Sequence, residues 1–583
     1  MSFNATLCSR FAEMAALAAL LGENKFKTIA LERAARVFEE LPQDASQLSA
    51  KELLALDGVG KGVADKVIEL AKTGAIAEHE AMKSQVPTGV VALLGVPGLG
   101  PKTVAQLWKE AGVESVEVLR QKAEDGSLVD LKGFGEKKVG TLKKNLSLIA
   151  QAANRMRLDE ALNLAEPLTA FLAGLPGVAR AHYAGSARRG KESVGDLDLL
   201  VAADPVLAGG LFDAFLAHPW VGEAIGRGPT KCSARLKAEL GAVQVDVRVV
   251  AADSFGAALA YFTGGKEHNV RLRERAIAQG MKLNEYGLFQ EGAPAPVAAA
   301  TEEAIHAALG LAFIPPELRE DKGEIALAEQ KKLPRLVEVA DIRAELHSHT
   351  LASDGVMTIR ELALNAAARG CHTVAVTDHS RSSIPGNGLS IERLQKHIAA
   401  VHAVAKEMAG TITILMGSEV DILSDGSLDY PDEILAQLDW VVASPHAALS
   451  QEPAVATRRL IAAAEHPLVH VIGHPTGRKV GRRAGLEPDM AALAKACAAC
   501  GTALEINANP IRLDLRDTHA RLVLEHGCKL SINTDAHHPE DMTLLRYGVL
   551  TARRAGARAQ DVVNCWTAGE LEKWRTGRRE GRL

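Results

Sequence analysis

Residues 1–80 alternate helical hydrophobic periodicity with short polar breaks, which predicts a run of short helices. Within them Met14–Leu21 is apolar, but Glu13 interrupts it and no cleavage site follows, so it reads as an amphipathic first helix and not a leader. The stretch Asp196–Val201 (DLDLLV) alternates as a strand does, and Val243–Val250 (VQVDVRVV) reads as a nearly continuous apolar strand. Residues 319–340 are charged and almost free of aromatics, the pattern of a connector with a short helix. From Asp341 onward short apolar strands alternate with Ala-rich helices, a β/α pattern consistent with a barrel. No apolar run reaches the roughly 18 residues of a membrane span.

Polar residues that break this pattern mark the chemistry. Side chains alternate along a strand, so Asp196 and Asp198 project from one face. Adjacent carboxylates repel unless a cation sits between them. Asp246 lies mid-strand in an apolar run, costly unless it faces a site. Gly185-Ser186 and Arg188-Arg189, just upstream, offer a tight turn, a hydroxyl and two guanidinium forks suited to phosphate. Three carboxylates beside a phosphate cradle imply two-metal phosphoryl transfer. A Gly-x-Gly hairpin entering a helix recurs three times, at Gly58 and Gly60, Gly98 and Gly100, and Gly133 and Gly135. Such turns let a backbone approach a phosphate at a helix N-terminus. In the β/α region metal-type residues sit at nearly every strand end: His347, His349, Asp354, His379, Glu419, His446, His474, Asp535 and His537. Strand C-terminal ends of a barrel converge, and histidines with carboxylates suit Zn, Mn or Fe.

Length and composition add bounds. A chain of 583 residues implies several domains. The net charge of −5 carries no global basic signature, so nucleic-acid contacts must come from local patches and backbone amides. Seven scattered cysteines point to a reducing cytoplasm, and Cys497 and Cys500 read as small helix residues, not a redox pair.

GSARRG…GDLDLL, VDVRVV, YFTGGKEHNVRLR and LNEYGLF together resemble the palm and thumb of a family X DNA polymerase of the polymerase beta type. The three hairpins resemble helix-hairpin-helix motifs, and the histidine series resembles a complete PHP (polymerase and histidinol phosphatase) domain. The resemblance, which covers essentially the whole chain, is to a bacterial family X polymerase fused to a C-terminal PHP domain. It implies a multidomain α/β protein. Its parts would be a lyase-like helix-hairpin-helix domain (1–80), a second helix-hairpin-helix subdomain (81–152), a nucleotidyltransferase palm with a mixed β-sheet (153–255), a small nucleotide-binding thumb (256–318), the linker (319–340) and a PHP distorted (β/α)7 barrel (341–583).

By the same resemblance Asp196, Asp198 and Asp246 bind the polymerase metals, Mg²⁺ or Mn²⁺. Ser186 and Arg189 hold the incoming nucleotide's phosphates and Gly195 lends backbone contact, Arg248 matches a palm arginine, Tyr261, Phe262 and Gly264 pack on the sugar, and Asn269 and Arg273 touch the nascent base and the template minor groove. Gln244 stands where an arginine is expected, and Lys266 where an aspartate is. Lys66 matches a Schiff-base lysine of deoxyribose-phosphate lyase domains, and Lys25 falls near a phosphate-binding lysine. Gly62 and Leu31 depart from that pattern. In the barrel the resemblance assigns up to three ions (Mn²⁺, Zn²⁺ or Fe²⁺): one on His347, His349, Glu419 and Asp535, one on Glu419, His446 and His474, and one on Asp354, His379 and His537, with Asp378 behind them. The implied protein is a cytoplasmic monomer acting on gapped or nicked DNA with a 5′-phosphate and on dNTPs, with no membrane partner. Its implied activities are gap-filling synthesis and 3′–5′ exonucleolysis, with lyase and abasic-site cleavage beside them. Two other readings stay open: a PHP half that hydrolyses small phosphomonoesters, and a chain that mainly binds DNA ends.

Overall fold

The computed structural model describes residues 3–579 apart from 42, 57, 97, 153 and 154. Asp57 and Pro97, each part of a glycine hairpin, therefore lie outside the described residues. The chain forms two compact units, Met1–Gln151 and Ala152–Leu583.

The first unit is helical. Its opening helix Phe3–Leu21 buries Leu7, Phe11, Met14, Leu17, Ala18 and Leu20, so it is an apolar core helix more than the amphipathic one its sequence predicts. The three glycine hairpins share one geometry. Gly58, Gly98 and Gly133 all have positive φ, which a side chain would strain. Gly60 and Gly100 cap the helices Lys61–Thr73 and Pro101–Ala111, and Gly135 immediately precedes Glu136–Ala152. Space beside Gly60, Gly100 and Gly135 is open, leaving helix N-terminal amides approachable.

The second unit holds a five-stranded mixed sheet and a seven-stranded parallel one. The mixed sheet runs in the order Val178–Tyr183, Leu197–Ala203, Gln244–Val250, Lys231–Leu236, Val221–Arg227, and only its second and third strands pair in parallel. The strand expected from Asp196 begins at Leu197, which leaves Asp196 exposed just before it.

The barrel strands follow chain order: Ala344–Glu345, Thr373–Val376, Thr413–Asp421, Trp440–Ser444, Val471–Ile472, Ala503–Asn507 and Leu530–Asn533. Most are buried on both faces, as parallel strands wrapped by helices must be. A parallel bridge between Ser348 and Ala536 joins the first strand's end to the last, at the rim where the histidines lie.

The charged segment 319–340 contains the short helix Glu324–Glu329 but is not a loose connector. Arg319 is 1% exposed, and its guanidinium pairs with Glu302 at 2.6 Å. Ala328 and Leu336 join the apolar core of the preceding subdomain, and the Val337 amide donates to the Ala557 carbonyl. Burial is tolerated because the charge is paired.

Candidate active sites

In the mixed sheet Asp198 and Asp246 sit directly opposite one another on neighbouring parallel strands. Burial, then the charges of Asp196 and Asp246, push the Asp198 carboxyl up to about 6. Burial opposes charge on Asp246 too, but the Lys231 ammonium at 2.6 Å, the Ser233 hydroxyl and the Gln244 amide at 3.1 Å outweigh it and hold that carboxyl below its usual range. Gln244 thus binds the carboxylate it neighbours. Lys231 places a positive charge where two carboxylates compete for one, and sequence reasoning passed it over; its pairing opposite Arg248 is visible only in the register. The donor set fits divalent cations: three carboxylates, one of them held protonated up to about 6 by burial and by its two neighbours.

Ser186 lies on the helical turn Gly185–Arg188 beside this centre. Gly185 has φ +62°, and a Cβ there would meet the Asp198 carboxylate at 2.4 Å, so only glycine lets the turn approach. Arg189 is not free: its Nε donates to Glu320 at 2.8 Å and its Nη1 to the Thr263 carbonyl at 2.6 Å. Arg188 forks onto Glu302. Gly195 packs against the Arg155 guanidinium. Arg248 stacks over Phe262 at 4.3 Å, and Tyr261 meets Phe262 edge-on. The Asn269 amide donates to the carbonyls of Tyr261 and Gly264, fixing the bend between two helices. Arg273 lies half-buried on the second of them, Lys266–Ala278.

In the helical unit Lys66 pairs with Glu78 at 2.7 Å. Lys27, and not the expected Lys25, shares that carboxylate, at 2.6 Å. Lys25 is the exposed first residue of its helix.

The barrel rim gathers all nine expected residues. Glu419 is central: His474 Nε2 lies 2.8 Å from it, His379 Nδ1 2.8 Å, and His347 and His446 Nε2 3.4 Å. Asp535 meets His349 at 3.0 Å and His347 at 3.5 Å. Asp354 meets His379 and His537, each at 3.4 Å. Three groups have ligand atoms mutually within 4.8 Å: His349, Asp354, His379 and His537; His347, His349 and Asp535; His379, Glu419 and His446. His349 and His379 each serve two groups, so the three sets share ligands more than the resemblance assigns. His474 and Asp535 take positive φ, a strained backbone of the kind functional sites retain.

The donors suit cations. His347 Nε2, His474 Nε2 and both Glu419 oxygens are buried and face one another without well-formed hydrogen-bond geometry. Burial opposes charge on His446 and His537, yet Glu419 and Asp421 push the first, and Asp354 and Asp535 the second, up to about 9. His349, buried and facing His537 and His379, falls to about 4. The cluster therefore draws in positive charge, and metal ions would supply it.

A second layer orients the ligands. His347 Nδ1 donates to Glu505 at 2.8 Å and His446 Nδ1 to Asp421 at 2.6 Å, which turns each Nε2 inward. Glu505 also accepts from Asn533 and from the His474 amide, and Asn507 donates to Asp535. Asp378 binds the Thr350 and Ser353 backbone and hydroxyls, fixing the loop that carries Asp354. Sequence reasoning missed Glu505 and Asp421. Glu505 could have been found by the rule that singled out Asp246: it is a carboxylate inside the apolar strand ALEIN.

Among known proteins, family models match in order along the chain: a helix-hairpin-helix domain at residues 2–76, a SAM-like helix-hairpin-helix tandem at 90–147, a DNA polymerase beta thumb at 258–320 and a PHP domain at 345–508. Asp535 and His537 lie beyond the last match, yet the fold brings them into the cluster. The DNA polymerase/3′-5′ exonuclease PolX of Bacillus subtilis is 36% identical over 553 residues, 95% of this chain and 96% of that one. DNA polymerase lambda of Rattus norvegicus is 28% identical over 300 residues, 47% of this chain and 49% of that one. A probable phosphatase of Syntrophotalea carbinolica is 29% identical over 230 residues, 38% of this chain and 90% of that one. End-to-end similarity to the Bacillus protein, with both centres built in one chain, places this protein in the PolX family, family X DNA polymerases that carry a C-terminal PHP domain.

Proposed function

We propose that this protein extends 3′ ends across short DNA gaps at Asp196, Asp198 and Asp246 and hydrolyses 3′ ends at the barrel rim. The observation that carries it is the coexistence of two separately built metal-type centres that share no residue. Carboxylates on adjacent strands serve nucleotidyl transfer, and a histidine-carboxylate cluster serves hydrolysis. The glycine hairpins support a backbone-directed, sequence-independent hold on DNA, with a preference for gaps bearing a 5′-phosphate.

Asp196, Asp198 and Asp246 would hold Mg²⁺ or Mn²⁺, which acidifies the primer 3′-hydroxyl and offsets charge on the transferred phosphate. The chain's own groups do the rest. Lys231 and Gln244 keep Asp246 ionised and oriented. Ser186 and the backbone of the Gly185 turn present donors for the triphosphate. Arg189 reaches it by leaving Glu320, and Phe262 holds Arg248 flat. At the barrel, Mn²⁺, Zn²⁺ or Fe²⁺ would sit on the nine rim ligands and supply a hydroxide near neutral pH. Glu505 and Asp421 fix which ring nitrogen faces inward, and Asp378 fixes the Asp354 loop. The reading has the protein work as a monomer in the cytoplasm; no helix among the described residues is long and apolar enough to cross a membrane.

A gapped, 5′-phosphorylated duplex incubated with dNTPs and Mn²⁺ tests the proposal. It predicts extension with dNTPs and shortening without them. Retardation alone would leave a DNA-end binder, and hydrolysis confined to small phosphomonoesters would leave a phosphatase.

A further inference from the structure

Outside the ligands themselves, the barrel rim carries a second concentration of charge, on two loops. The loop after His474 contains Lys479, Arg482 and Arg483, and the loop after the strand Ala503–Asn507 contains Arg512. Lys479 and Arg483 face one another across a tight turn, with the Lys479 amide donating to the Arg483 carbonyl at 2.8 Å and the Arg483 amide returning to Lys479 at 2.8 Å. The Val480 amide donates to the Ile511 carbonyl at 2.7 Å, so the two loops run side by side. Arg483 Nε donates to the Gly477 carbonyl at 2.8 Å, which pins one of the four.

Charge pairing is sparse in this patch. Among the described residues Lys479, Arg482 and Arg483 have no carboxylate within ion-pair distance. Arg512 pairs with Asp535, Nε to Oδ2 at 3.8 Å. Partial burial and mutual repulsion hold the Lys479 ammonium and the Arg483 guanidinium below their ordinary values. Folding does not gather like charges without return; a polyanion would relieve them. The patch also has a direction. Val480 and Leu513, the immediate neighbours of Lys479 and Arg512, pack into the core of the mixed-sheet domain along with Tyr547. The cations therefore lie where that domain meets the barrel, and Arg512 reaches the hydrolytic centre through Asp535.

We infer that Lys479, Arg482, Arg483 and Arg512 form a track for the phosphates of a single DNA strand, Arg512 innermost, that leads a 3′ end into the barrel centre. The inference rests on the exonuclease reading of that centre. Spaced cations suit a repeating diester backbone better than a single small phosphate, and guanidinium forks bind phosphate oxygens in pairs.

The test uses the full-length, Mn²⁺-loaded protein and the double variant Lys479→Gln/Arg482→Gln, both positions being exposed. Two substrates are compared: oligothymidylate, and bis(p-nitrophenyl) phosphate as a diester with no strand attached. The track predicts that kcat/KM on oligothymidylate falls about tenfold at low salt, and that the slope of log rate against log salt becomes shallower by about 1.4, two phosphate contacts at about 0.7 each. Hydrolysis of the small diester and bound-metal content should not change, and Arg482→Lys should keep most of the wild-type slope. Equal loss on both substrates, or an unaltered salt slope, would overturn the track. A wild-type protein that cleaves the small diester but never DNA 3′ ends would instead overturn the exonuclease reading, and the track with it.

Discussion

The two candidate centres solve the problem of holding cations in opposite ways. On the mixed sheet three carboxylates stand on two strands and the residue before them, with Asp196 exposed and Lys231 already pressed against Asp246. At the barrel nine candidate ligands converge from six strand ends, backed by a second layer from the sixth strand in order, Ala503–Asn507. On the proposed function the first is half a site, and a nucleotide's phosphates would supply the remaining oxygens. The second is pre-built, with ring nitrogens aimed inward before any substrate arrives. A site assembled by substrate gains control over when chemistry occurs. A pre-built site gains affinity, and then depends on delivery of the right strand.

The largest effects should come from deleting ligands. Asp198→Ala or Asp246→Ala is expected to lower nucleotide insertion about a thousandfold while leaving 3′-end hydrolysis near wild type. The pair His347→Ala/His349→Ala should do the reverse, and single-turnover gels on one gapped substrate read both. If one set of mutations removed both activities, the two centres would not be separable.

Next is the second layer. Glu505→Gln keeps the hydrogen bond to His347 but removes the charge, and should weaken bound metal or hydrolysis roughly 10- to 100-fold with insertion spared. Metal analysis of the dialysed variant checks this, and a silent substitution would reduce Glu505 to packing.

Acid should affect the centres differently. The Asp198 carboxyl, raised to about 6, is protonated below that pH, so insertion at low metal concentration should fall as pH drops through about 6. Raising Mg²⁺ should move that limb to lower pH, because the cation competes with the proton. At the barrel His446 and His537 hold protons up to about 9, so metal uptake at neutral pH must release them, and affinity should rise with pH up to that value. Calorimetry in buffers of different ionisation enthalpy counts the protons. A smaller effect is expected of Lys231→Met, which removes the cation competing at Asp246: a several-fold gain in metal affinity, read by Mn²⁺ resonance.

Much of this was legible in the chain because the physics is local. The glycine hairpins were visible since positive φ and an open approach demand glycine, and the barrel ligands since histidines recur at the ends of apolar strands. What stayed hidden depends on which strands become neighbours. Lys231 is an ordinary surface lysine until the register sets its strand beside Asp246. Glu505 supports a histidine 158 positions away. Lys27 joins Lys66 only through Glu78, on a different helix. The charged segment after residue 318 read as a connector because composition reports charge and not its pairing, and Arg319 is buried on Glu302.

The central claim is that one centre is pre-built and the other is completed by substrate. Metal content of the full-length protein, measured after gel filtration without DNA or nucleotide, tests it most directly. The account predicts that bound transition metal survives, is lost in His347→Ala/His349→Ala and is unchanged in Asp246→Ala. Metal lost in Asp246→Ala but kept in the histidine pair would contradict it.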